Sequence, residues 1–114
     1  MTRNDLIGSW KLVGYGPSGP PPAARVAPAN EGLLIYSNDG HVSVSMARAD
    51  GYWGYCGRFD VEGDTVIHRV AMGMKPAVPG TDQRRLATIE GNRLTLAVRE
   101  PGTSVELVWE RIGR

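Results

Sequence analysis

Between Tyr52 and Ala71 the chain reads YWGYCGRFDVEGDTVIHRVA, and its side chains change character every second residue on both sides of one turn. Tyr55, Gly57, Phe59 and Val61 alternate with Cys56, Arg58 and Asp60. Glu62-Gly63-Asp64 reverses the chain, and Val66, His68 and Val70 then alternate with Thr65, Ile67 and Arg69. A period of two is the mark of a strand with one face turned inward, so this stretch predicts a β-hairpin. His68 is its unusual member. A titratable ring lies between two valines in the inward row, where a plain core would carry another aliphatic side chain.

The same pattern recurs on either side. A single helical turn through Leu6 and Ile7, capped by Asn4 or Asp5, is expected before Gly8-Ser9-Trp10 opens a strand to about Tyr15, with Trp10, Leu12 and Gly14 on one face. Strand two, Gly32 to Ser37, turns through Asn38-Asp39-Gly40 into strand three, His41 to Met46. Residues 47–52 read as a loop, and Met72 to Asp82, with Pro76, Pro79 and Gly80, as another. Strand six (Gln83 to Ile89), the turn Glu90-Gly91-Asn92, strand seven (Arg93 to Arg99), a turn at Pro101-Gly102 and strand eight (Ser104 to Ile112) complete the series. Residues 16–30 carry five prolines and two glycines, which excludes a regular element and predicts a long exposed loop, placed as a lid over one end. Short strands in succession, with no amphipathic stretch long enough for a packed helix, predict an all-β, eight-stranded antiparallel up-and-down barrel. Closure is favoured over a sandwich because it removes both sheet edges.

At 114 residues the chain is expected to be one domain, 1–114. The formal net charge of +1, with both signs interspersed, leaves no electrostatic footprint for nucleic acid or anionic lipid. No apolar run approaches the roughly 20 residues that span a bilayer, the first ten residues lack the apolar core of a signal peptide, and Cys56 is the only cysteine. Those features lead to the expectation of a cytoplasmic protein without a disulfide. Cys56 is out of phase with Tyr55 and Phe59 and is expected to point away from the interior. His41, His68 and Cys56 lack the paired spacing of a metal site, and no helix follows the glycine-rich stretches to hold a phosphate, so neither metal nor nucleotide cofactor is expected. Ser43 and Ser45 lie in a regular strand with no acid placed behind His68, which argues against a serine triad.

Gly8-Ser9-Trp10 and the late Arg111 resemble the calycin signature, a G-x-W motif whose tryptophan is covered by an arginine. With Gly32 to Gly40, Tyr55 to Val70, Gly80 to Arg85, Leu94 to Leu96 and Leu107 to Arg111, the chain resembles the lipocalin-like domain family of small bacterial and fungal proteins. The resemblance implies a small barrel around a central cavity, and similar barrels include cyclases and isomerases of natural-product pathways. Relative to secreted lipocalins this chain is short and lacks the C-terminal helix, the disulfide and a secretion signal, which tells against extracellular transport.

If the inward rows hold, Tyr55, His68, Gln83 and Arg85 converge inside the barrel, with Tyr36, Phe59 and Trp109 as candidate walls. Strand six has a rival face, Arg84/Leu86/Thr88, and a slip of one residue would dissolve the cluster. Arg85 suits a carboxylate, enolate or carbonyl oxygen, Tyr55 can donate to the same oxygen, and His68 would move a proton near neutral pH. Against this stand structural roles: His68 satisfied by tyrosine or glutamine, Arg85 paired with Glu106 or Glu110, and Trp10 with Arg111 as a barrel plug. Three functions follow as expectations. The first is binding of a small, mostly apolar metabolite with an oxygen handle. The second is a cofactor-independent cyclase or isomerase using His68, Tyr55 and Arg85. The third is a protein-interaction module, with a homodimer through Tyr52 and Trp53.

Overall fold

The computed structural model describes residues 1–17, 31–48, 51–73, 79–100 and 103–114. A helical turn α1 (Arg3–Leu6) precedes eight strands: β1 (Gly8–Pro17), β2 (Glu31–Tyr36), β3 (His41–Arg48), β4 (Gly51–Glu62), β5 (Thr65–Gly73), β6 (Asp82–Glu90), β7 (Arg93–Glu100) and β8 (Thr103–Gly113). Neighbours pair antiparallel in chain order and β8 pairs back with β1, so the sheet is a closed up-and-down barrel. Most of the proline-rich segment expected as a lid lies outside the described residues, as do the middle of the second loop and the Pro101-Gly102 turn. Among the described residues no helix is long and apolar enough to cross a membrane.

Three local expectations are corrected. Of the expected loop 47–52, Ala47 and Arg48 extend β3 and Gly51 and Tyr52 extend β4, because Ala47 pairs with Tyr52 and Arg48 with Gly51. The cap of α1 is Thr2, and Asp5 reaches back to accept a hydrogen bond from the Thr2 backbone N–H at 2.8 Å, satisfying a donor that a short helix leaves open. Gly14 does not share the face of Trp10 and Leu12. Leu12 pairs with Trp109 but Gly14 with Val108, so Val13 is an extra residue, and the bulge brings Tyr15, opposite Leu107, to the interior.

A second bulge, at Ala71, lies where β4 bends across β5: Cys56 pairs with Met72 and Gly57 with Val70. A Cβ on Gly57 would lie 1.9 Å from the Arg69 carbonyl oxygen, so only glycine permits this approach. The hairpin between β2 and β3 turns on Gly40, whose φ of 94° suits a residue without Cβ.

Side chains fill the barrel in layers. At the α1 end, the Arg111 guanidinium stands 4.1 Å over the fully buried Trp10 ring and donates to the carbonyls of Ile7 and, at 2.7 Å, Asp5. The indole N–H of Trp10 donates to the Leu6 carbonyl at 2.9 Å, which ties the helical turn to the barrel. Trp10 and Arg111 are also opposed residues of the β1–β8 seam, so the expected plug sits on the pair of strands that closes the sheet. Losing the cation–π contact and two hydrogen bonds to a charged donor in Arg111→Met is expected to lower the unfolding free energy by about 2–4 kcal/mol. The check is a lower urea midpoint at an unchanged denaturant slope.

Candidate functional site

The pairing of β5 with β6 decides which arginine faces inward. Val66 is opposite Arg85 and His68 opposite Gln83, whereas the outward Ile67 is opposite Arg84. Opposed residues share a face of the sheet, so Gln83 and Arg85 join His68 in the interior and Arg84 points out, where it meets Glu62 at 3.4 Å. The neighbouring pairs, Phe59 with His68 and Tyr55 with Gly73, put Tyr55 on the same inner surface.

These side chains border a cavity of about 250 Å³ to which every strand contributes, from Tyr15 and Leu34 through Val44, Leu96 and Leu107 to Trp109. It occupies the half of the barrel away from the Trp10–Arg111 plug. Its volume is below the roughly 300–1,000 Å³ of cavities that hold drug-sized ligands, so it suits a small molecule. A groove of greater volume, about 380 Å³, lies on the outer wall beside Lys11, Leu33 and Tyr52, but its lining includes no buried titratable group.

His68 is 1% exposed and is held at both ring nitrogens by tyrosines: Tyr36 Oη lies 2.6 Å from Nε2 and Tyr55 Oη 2.6 Å from Nδ1. Burial, with a smaller contribution from cationic Arg85, pushes the imidazole pKa down to about 3. Burial likewise pushes the Tyr55 hydroxyl up to about 12, with Arg85 opposing, and Tyr36 well above the usual phenol range. All three groups are therefore neutral at neutral pH, which runs against the expectation that His68 exchanges a proton there.

Arg85 is half-buried and held by its neighbours, donating to Gln83 Oε1 at 3.0 Å and to the Arg84 carbonyl at 2.9 Å. Among the described residues no carboxylate pairs with it. Glu110, one of its expected partners, faces Arg93 at 3.4 Å instead. Gln83 in turn donates to Thr81 Oγ1 at 3.3 Å.

Of the residues expected to form walls, Trp109 borders the cavity, but Tyr36 and Phe59 do not. They form the layer beneath His68, their rings 4.7 Å apart in edge contact, with the Arg3 guanidinium 5.1 Å from Phe59 on its other side. Two aromatic cavity residues, Trp53 and Tyr15, were not foreseen as walls. Trp53, expected in an exposed anchor with Tyr52, is opposite the inward Met46, stacks on Tyr55 with ring centroids 6.4 Å apart and lines the cavity, leaving Tyr52 alone on the outside. Extending the 55, 57, 59 alternation one step back identifies it. Tyr15 carries no such signal, because the Val13 bulge shifts its phase.

A closed antiparallel barrel around an internal, mostly apolar cavity with a few convergent polar groups defines a small-molecule-binding barrel. The sequence matches the lipocalin-like domain family over residues 48–112, and the chain belongs to that family. The fold is similar to the crystal structure of an uncharacterized protein from Bacteroides eggerthii DSM 20697, with a TM-score of 0.61 at 12% identity over 94% of this chain and 99% of that one. At such identity the likeness concerns the fold alone. No curated protein matches the sequence.

The depressed His68 pKa makes stability depend on pH. The unfolded chain binds a proton below about pH 6.5 that the native state refuses until about pH 3, so this contribution is present above 6.5 and lost as pH falls through that window. The expected loss is about 1.4 kcal/mol per pH unit. Asp5, Asp39 and Asp60, whose pKa values are lowered from 3.8, contribute stability that is present above about pH 4 and lost only below it, outside this window. Urea titrations between about pH 6.5 and pH 4.5 are expected to show this slope in the native sequence and its disappearance in His68→Gln.

Proposed function

We propose that the protein binds a small, mostly apolar metabolite inside the barrel, with an oxygen of that molecule held against Tyr55 and Arg85. One observation carries this: the cavity is walled by aliphatic and aromatic side chains from β1 to β4, β7 and β8, while Tyr55, His68, Gln83 and Arg85 gather on the neighbouring strands β4, β5 and β6. Such a division gives affinity through apolar burial and orientation through a few hydrogen bonds.

A cyclase or isomerase with His68 as proton carrier draws less support from the same geometry. Both ring nitrogens are occupied by hydroxyls. A proton placed on the ring would be opposed by burial and by Arg85. Beyond His68 the chain of groups ends at Tyr36, a sealed phenol unsuited to losing its proton. A holding role uses this arrangement as it stands. An interaction role through Tyr52 and Trp53 is weakened by the inward turn of Trp53.

The test is native mass spectrometry of the purified protein after exposure to a metabolite extract of its host, beside a cavity-filled variant, Leu107→Trp. The native sequence is expected to retain a small molecule and release it chemically unchanged, and the variant to retain at least tenfold less while keeping the far-ultraviolet circular dichroism of the barrel. Equal retention by both would place the ligand outside the barrel. Release of a rearranged or dehydrated molecule would move the protein to the enzyme class.

A further inference from the structure

The hydrogen bonds around His68 determine the chemistry of the oxygen that the cavity accepts. Tyr36 is 1% exposed, and among the described residues its hydroxyl has one hydrogen-bond partner, His68 Nε2. A buried O–H requires an acceptor, so Tyr36 donates and Nε2 is bare. A neutral imidazole then carries its proton on Nδ1 and donates it to Tyr55 Oη. The opposite polarity would leave the Tyr36 proton buried without an acceptor. Tyr55 therefore spends a lone pair on His68 and keeps its own proton, on a residue that borders the cavity.

The other polar groups bordering the cavity are biased the same way. Gln83 has its oxygen engaged by Arg85 and its amide by Thr81. Arg85 has five N–H donors and uses some of them on Gln83 and the Arg84 carbonyl. The Trp109 Nε1–H is buried and has no hydrogen-bond partner among the described residues. Among the described residues no carboxylate borders the cavity. The groups left for a ligand are therefore weighted toward donors and include a permanent cation.

We propose that the cavity selects a small carboxylic acid bound as its carboxylate, an inference that rests on the cavity being a ligand site. Arg85 and the Tyr55 hydroxyl donate to the carboxylate oxygens, Trp109 Nε1–H is a further donor, and the apolar walls hold the remainder of the molecule. Tyr36 and His68 are positioning residues that keep Tyr55 a donor. The anion follows from the guanidinium: a neutral ligand filling the cavity would strip water from Arg85 without supplying a counter-charge, and an amine would add repulsion. A carboxylate has acceptors only and matches the donor set.

The test uses four probes of matched ring size, benzoate, benzamide, benzyl alcohol and benzylamine, titrated calorimetrically into the native protein at neutral pH. Nitrogen-15 spectra of the ligand-free protein report the His68 tautomer in parallel. Benzoate is expected to bind at least tenfold more tightly than the other three, and Arg85→Met and Tyr55→Phe each to erase that preference. His68 is expected to be protonated on Nδ1 alone. Benzamide or benzyl alcohol binding as tightly as benzoate, or a ring protonated on Nε2, would overturn the inference and leave the cavity as a ligand site. Binding of none of the four would overturn the ligand site and the inference together.

Discussion

A neutral imidazole sealed inside a protein needs one hydrogen-bond donor and one acceptor at fixed positions, and here both come from tyrosines on other strands. Tyr36 on β2 and Tyr55 on β4 meet the two nitrogens of His68 on β5 at equal distances of 2.6 Å. A slip of one residue on any of these strands would turn its member of the set to the outer face and leave polar atoms buried without partners. An apolar core of similar volume would tolerate such a slip more easily, since one aliphatic side chain substitutes for another. The polar triplet thus fixes the relative register of strands that carry the cavity, and Gln83 and Arg85 take their places because β6 pairs with β5.

The ends of the barrel divide the work. At one end, the seam between β1 and β8 is fastened by Arg111 over Trp10, and α1 is bonded to both residues. That end is packed with Leu6, Trp10 and Leu94, each fully buried. Toward the other end, above Tyr36 and Phe59, side chains of all eight strands leave a cavity between them. A barrel of eight strands is just wide enough for its own side chains to fill, so a small redistribution of bulk separates a solid core from a binding site.

Much of this was legible in the sequence, for a physical reason. Side-chain alternation reports which face of a strand is buried, so the inward row through Tyr55 and Phe59, the row through Val66, His68 and Val70, and the turns at Gly40, Gly63 and Gly91 could be placed by period alone. Gly8-Ser9-Trp10 with Arg111 was legible as a motif. Bulges were not, because an extra residue changes phase without changing composition; Val13 moved Tyr15 inward against the pattern. The choice between Arg84 and Arg85 was also hidden, since both faces of β6 carry an arginine and only the pairing with β5 distinguishes them. The contact of Tyr36 with His68, 32 residues apart, depends on closure and curvature of the whole sheet. No local pattern encodes it.

Burying polar and charged side chains among aliphatic walls is unfavourable for a barrel of this size, and stability alone would be served by filling the space with leucine and valine. His68 and the tyrosines offset their desolvation by bonding one another, so on their own they are consistent with a structural role. Arg85 and Trp109 are different. Among the described residues the guanidinium has no counter-ion and the indole N–H of Trp109 no acceptor. Two unspent donors on the border of one cavity, beside a tyrosine whose proton is directed away from its histidine, form an arrangement that is incomplete as a core. It becomes complete when an acceptor occupies the space between them.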